Sequence, residues 1–167
     1  MGNRFWAGQR SMKLTNGGTD VFLSLMQFAL SDLASSDWEQ ALALWFAWHD
    51  QNLVGLGVVG FSLEEVHWDA AQFPEQKAFL LRAIDSALAG YRRAELCYDP
   101  PYVDLYLREY REIVEPFELP ADFQSTGLYG WPGPDDPDER CPKHGVHCSL
   151  YGWCRVCVHC GTDRLGG

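Results

Sequence analysis

Cysteine is almost missing from the first 140 residues of this 167-residue chain: Cys97 stands alone there, and the other five lie between Cys141 and Cys160. The body therefore offers no disulfide framework of its own. Long apolar runs are missing too. No stretch approaches the ~20 residues of a membrane-spanning helix, so none is expected. The start, "MGNRFWAGQRSMKLTNGG", lacks the apolar middle of a signal peptide. Trp6 stands where an N-myristoylation signal wants Ser or Thr. Basic residues are scarce, with 13 Lys and Arg against 23 Asp and Glu and a formal net charge of −10. An acidic surface repels phosphates, which argues against nucleic acid as a partner. H-E-x-x-H, G-x-S-x-G and a phosphate-binding loop are all absent. The chain reads as a binding protein and not as an enzyme.

What is present is a globular composition. Hydrophobic residues make up 47% and aromatics 14%, with seven tryptophans, which excludes a disordered chain. The length suits one compact domain with an appendage. A soluble cytoplasmic protein is the expectation. In a reducing compartment, clustered cysteines read as metal ligands before they read as disulfides.

The charge is unevenly placed. Residues 1–17 carry three bases and no acid, residues 18–137 carry 20 acids against 6 bases, and residues 138–167 carry 4 bases against 3 acids. Such a body attracts basic partners and speeds encounter with them. The last helix and the connector offer Asp104, Glu109, Glu112, Glu115, Glu118 and Asp122, of which at least Glu112 and Glu115 can share one helix face before Pro116 ends it.

The predicted fold class is mainly α: a small helical domain, a proline-rich connector and a C-terminal zinc-binding element. Residues 1–18 are expected to be a flexible N-terminal extension, with Met12 a second potential start. Residues 19–115 form the helical domain. Phe22, Leu25, Met26, Ala29, Leu30 and Leu33 recur at helical spacing over about 20–34, with Thr19 or Asp20 as cap. Ser36 and Glu39 make a capping box before a helix, apolar on nearly every side, that runs to about Trp48. "HDQNLVGLGVVG" suggests a loop with a short extended piece, and Ser62 and Glu65 a second capping box. Pro74 opens a helix that Gly90 ends. Asp99 and Pro100 begin the last, with a stripe from Val103 to Val114, and Pro116 stops it. No stretch sustains a period-2 alternation. Residues 116–140 hold five prolines and read as an acidic connector, with Phe117, Phe123, Tyr129 and Trp131 as anchors on the body.

Residues 141–167 are the tail. Cys141-x2-His144 and Cys154-x2-Cys157 are two chelating pairs separated by nine residues. Zinc takes four such ligands in a tetrahedron, and four protein ligands make a closed, structural site. A tail this short cannot bury a core, so a metal would supply its folding energy. Cys157-x2-Cys160 is an equally good local turn and leaves Cys160 as an alternative ligand; Cys148, His147 and His159 are further substitutes. The shorter connection favours Cys154 with Cys157. Cys141, Pro142, His144, Gly145, Gly152, Cys154 and Cys157 resemble short zinc-ribbon or zinc-knuckle modules of the "CPxHG … GxCxxC" kind. That resemblance implies a zinc-stabilised fold and says little about activity.

His49-Asp50, and His67 with Asp69, Glu64 and Glu65, are the remaining candidates for chemistry. They read as capping or core-edge residues before they read as ligands or catalysts. Cys97 reads as a buried small hydrophobe, and Trp38, Trp45, Trp48 and Trp68 as core. In general character the acidic, tryptophan-rich helical body with a zinc tail is similar to bacterial immunity proteins that inhibit secreted toxins. That likeness implies a cytoplasmic inhibitor of a basic toxin domain. The alternatives are a zinc-containing adaptor that docks on protein or nucleic acid, and an enzyme using His49, His67 and their carboxylate neighbours.

Overall fold

The computed structural model describes residues 3–49, 59–97, 101–126, 130–136, 138–149 and 152–161. It is mainly helical. Its elements are strands β1 (Asn3–Ala7) and β2 (Arg10–Leu14), then helices α1 (Asn16–Leu33), α2 (Asp37–Trp48), α3 (Phe73–Leu88), α4 (Val103–Val114) and α5 (Arg155–His159). Two short 3-10 turns, Leu63–Glu65 and Arg93–Glu95, lie between helices. No helix among the described residues is long and apolar enough to cross a membrane.

The first 18 residues are not a free extension. β1 and β2 pair antiparallel, with Phe5 opposite Met12 and Ala7 opposite Arg10. Asn3, Phe5 and Ala7 point inward, and Arg4 is exposed. Phe5 is fully buried, with its ring 5.1 Å from Phe22, 5.4 Å from Phe61 and 5.5 Å from Tyr110. On its other edge β1 donates from Arg4 N to Val59 O (3.0 Å) and from Trp6 N to Phe61 O (3.3 Å). Five-residue strands are too short to show the sustained alternation that marks a strand in sequence. The hairpin is seated by the helices beneath it.

α1 begins at Asn16, four residues before its apolar stripe suggests. Thr15 is the N-cap, its hydroxyl accepting from Gly18 N at 3.0 Å. Gly17 and Gly18 hide this start, because glycine is a poor helix former. The α4 ring of Tyr106 explains Gly18: a Cβ there would lie 2.4 Å from it.

α2 and α3 begin where local chemistry places them, whereas α4 begins at Val103, after Tyr102 and without a side-chain cap. Both capping boxes close, Ser36 with Glu39 and Ser62 with Glu65. Leu42 to Trp48 of α2 are buried without a gap. α3 takes Pro74 in its first turn and buries Phe73, Phe79, Leu80, Ala83, Ile84 and Ala87. α4 buries Val103, Leu107, Tyr110, Ile113 and Val114. Asp99, Pro100, Asp50 and Tyr129 lie outside the described residues, as do residues 51–58 of the expected loop.

Connector and tail are packed onto the body. The Trp131 ring lies 5.3 Å from Trp45, 5.9 Å from Trp38 and 5.3 Å from His67, and Phe117 packs on Trp68 and Phe73. Cys141, Val146, Cys148, Cys154, Val156 and Cys157 belong to the same buried cluster as Phe22 and Leu30. The tail is therefore not an appendage hung from a self-contained domain.

The hairpin's place in the core gives a direct expectation. Phe5→Ala should lower unfolding stability by about 3–5 kcal/mol, as for a fully buried aromatic. Urea unfolding would measure it, and a loss under about 1 kcal/mol would make the hairpin peripheral.

Candidate metal centre

Two turns build the centre. In the first, Gly145 N bonds Cys141 O at 2.8 Å and Cys141 N bonds Val146 O at 2.9 Å, which bends His144 back over Cys141. Gly145 sits at φ +73°, where a side chain would strain the turn. In the second, Cys154 is the N-cap of α5 and Cys157 lies in its first turn. Gly152 N bonds Ser149 O at 2.9 Å and delivers the chain to that start.

The ligand atoms of Cys141, His144, Cys154 and Cys157 all lie within 4.8 Å of one another, and all four residues are buried. Cys141 Sγ is 3.7 Å from Cys157 Sγ and 3.7 Å from His144 Nδ1. His144 Nδ1 is 3.5 Å from Cys154 Sγ and 3.4 Å from Cys157 Sγ. Zinc bonds of ~2.3 Å to sulfur and ~2.0–2.1 Å to nitrogen put the edges of a tetrahedron at about 3.8 Å for S–S and about 3.6 Å for S–N. These four separations match those edges, and the remaining two lie within 4.8 Å. The residues present can hold one tetrahedral metal ion with three thiolates and one imidazole.

The surroundings prepare the sulfurs. Burial pushes the Cys141 thiol up, but backbone N–H groups of His144 and Lys143 and the Cys154 and Cys157 thiols favour its thiolate, so it ends below the usual range. Burial dominates at Cys154, whose thiol is pushed well up. A metal must displace that proton. The His144 imidazole is lowered, first by burial and then by Lys143, so it stands neutral as a ligand should. Its carbonyl accepts from Arg92 Nη2 at 2.9 Å.

The remaining tail candidates fall elsewhere. Cys160 forms a disulfide with Cys97, which removes it as a ligand. Cys97 is exposed and bonded, not a buried hydrophobe. Spacing could not show this, because Cys97 lies 63 residues from its partner. Cys148 is buried beside the site, and burial followed by the Cys141 and Cys157 charges pushes its thiol up to about 11. His147 turns away, its Nδ1 2.8 Å from Ser31 Oγ on α1. Its Nε2 lies 3.2 Å from Asp138 Oδ1, off the line of a hydrogen bond. Ser31, His147 and Asp138 thus have the composition of a catalytic triad. Ser31, however, is 3% exposed in the last turn of α1 and also accepts from His147 N at 3.2 Å, so the group fastens the tail. The His159 side chain lies outside what is described.

Among the described residues, the second set of candidates forms no such cluster. His49 is buried, and its Nδ1–H donates to Trp45 O at 2.9 Å. His67 is exposed and stacks on Trp131. Glu64 and His67 stand at E-x-x-H spacing, but Glu64 accepts from Gly8 N at 2.7 Å and Glu65 caps Ser62. Among the described residues, the one cluster able to hold a metal is the tail's. Comparison with known protein families, curated proteins and solved structures finds no match for the chain.

Purified protein should carry about one metal ion per chain, as one four-ligand site requires. Elemental analysis should find that Cys141→Ser, Cys154→Ser and Cys157→Ser lose it and Cys160→Ser keeps it. Retention by Cys154→Ser with loss in Cys160→Ser would put the later pair at the metal. Chelation should lower the melting temperature of the whole fold, because the tail shares its core; an unchanged melt would separate the two.

His49 sets a second expectation. Burial lowers its imidazole from 6.5 to about 4. As pH falls below 6.5 the unfolded chain takes the proton first, so this contribution to stability is present above 6.5 and lost down to about 4. Between those limits, urea unfolding of His49→Gln should fall less steeply with pH than that of the parent. Parallel slopes would show that His49 titrates normally.

Proposed function

We propose that the chain is a non-catalytic binding protein whose tail is held by a structural zinc and whose acidic surface receives a basic protein partner. Three thiolates and an imidazole in a closed tetrahedron suit zinc, and four protein ligands leave no open position for substrate.

The observation that carries the partner reading is a cleft of about 380 Å³ between the start of α2 and the connector. Trp38, Leu44, Trp131 and Pro134 form its apolar part, and Asp37, Asp136 and Asp138 line it with carboxylates. No base is among the described lining residues, although Arg140 flanks the cleft through Gln40 Oε1 at 2.7 Å. An arginine or lysine suits such a cleft, because its stem is apolar and its head cationic.

The acids of α4 and the following residues are less available. Asp104 pairs with Arg93 (2.6 Å), Glu115 with Arg111 (2.9 Å) and Glu118 with Lys77 (3.2 Å). Glu109 and Glu112 share their groove with Arg10 and Lys13 of the hairpin. Exposed pairs like these add only ~0–1 kcal/mol each, but they cancel charge that would otherwise draw a partner. The proposal thus places the binding face at the cleft. Inhibition of a basic toxin domain is the form of this function that the acidic composition favours.

An arginine-rich peptide is a suitable probe, read by the tryptophan fluorescence of the full chain. Binding should weaken as salt rises. Asp37→Lys with Asp136→Lys should abolish it, and Glu109→Lys with Glu112→Lys should leave most of it. Equal binding of a glutamate-rich peptide, or indifference to the cleft reversals, would sink the proposal.

A further inference from the structure

α5 is five residues long and is anchored at both ends by sulfur. Cys154 and Cys157 tie its start to the metal centre, and Cys160, just past its end, is tied by the disulfide to Cys97. A helix this short has no stability of its own. Its position rests on those anchors and on Val156 and Arg155, which are buried against the body.

The segment that holds Cys97 grips the metal module a second time. Arg92 donates to the carbonyl of His144, pairs with Asp32 at 3.1 Å and lies 4.2 Å over the Phe28 ring. Residues 92–97 therefore reach two ligands at one remove: His144 through its carbonyl, and Cys157 through the disulfide three residues on. Accessibility is graded across the sulfurs. Cys97 is exposed and Cys160 half-buried, whereas Cys141, Cys154 and Cys157 are buried. A small thiol meets the disulfide before it meets a ligand.

We propose that the Cys97–Cys160 disulfide is a redox latch on the metal centre, closed to retain the metal and opened by a cellular dithiol to release it. A dithiol's thiolate attacks Cys97 Sγ, and Cys160 leaves as a thiolate that takes up a proton. The dithiol's second thiolate then attacks the mixed disulfide and frees Cys97, which is protonated in turn. Two electrons and two protons reach the protein, and the dithiol becomes a cyclic disulfide. Opening has two effects. α5 loses its far anchor. The freed Cys160 also forms with Cys157 a second C-x2-C pair, which competes for the metal with the ordered set. Groups one remove from a ligand typically hold 10–100-fold in metal affinity, and the latch is expected to act on that scale.

The inference rests on the metal reading, so zinc content is measured first on the full chain. Zinc release to a chromogenic chelator is then followed with the protein air-oxidised or treated with a phosphine reductant, which does not chelate as a dithiol does. Release should be about 10–100-fold faster after reduction. Cys97→Ser and Cys160→Ser should release at the fast rate whether or not reductant is present. Circular dichroism of each zinc-loaded protein checks that the variants are folded, and the reduction of the parent chain needs no variant. A chain without zinc overturns the metal reading and the latch with it. A chain that binds zinc but releases it equally fast in both redox states overturns the latch alone, as does mass spectrometry showing Cys97 and Cys160 as free thiols in the oxidised protein.

Discussion

The fold depends on burying α1 on nearly every side. From Val21 to Ser31 each of its residues is buried. Helices α2, α3, α4 and α5 all touch it. The hairpin reaches its start through Asn3 Nδ2, which donates to Thr19 Oγ1 at 2.7 Å and Asn16 Oδ1 at 3.1 Å. An amphipathic helix needs one partner layer; a helix like this needs a shell. Hairpin, body and tail each supply part of that shell, so residues at the two ends of the chain belong to one core.

The tail depends on α1 in return. Its few apolar side chains, Val146 and Val156 among them, cannot make a core alone. Three polar ties fix it instead: Arg155 to Asp20 at 2.8 Å, His147 to Ser31, and Arg140 Nη1 to Ser31 O at 3.3 Å. The metal ligands sit behind these ties, out of water. Uncompensated thiolates would be costly there. A divalent ion held there would remove most of that cost and link the two turns.

What was legible in the sequence followed the range of the interaction. Ser36 with Glu39, Pro74 and Gly90 act on neighbours a few residues away, and the helices they bound stand where those signals put them. The paired spacings of Cys141, His144, Cys154 and Cys157 are local in the same sense, and the structure gathers those four residues. The hairpin was hidden because Phe5 is recognisable as core only beside Phe22, Phe61 and Tyr110. The Cys97–Cys160 bond was hidden because neither cysteine carries any mark of the other. The pairing of Asp104 with Arg93 and of Glu115 with Arg111, and the placing of Glu109 and Glu112 beside the hairpin's bases, were hidden for the same reason: a charge count does not say which charges meet.

Metal centre and proposed cleft are also connected in series along the chain. Asp136 and Asp138 line the cleft, Arg140 bonds both Gln40 at its edge and the α1 backbone, and Cys141 follows as the first ligand. Asp138 lies beside His147, which Ser31 holds. On the other side of the cleft, Asp37 and Trp38 belong to the first turn of α2, set by its capping box. One wall is thus fixed by a helix cap and the other by the stretch leading into the metal. Loss of the metal would free Cys141 and loosen the second wall, while the first stayed in place. A structural ion that no lining residue of the cleft ligates would then govern binding without touching the bound partner, through the position of the carboxylates that precede Cys141.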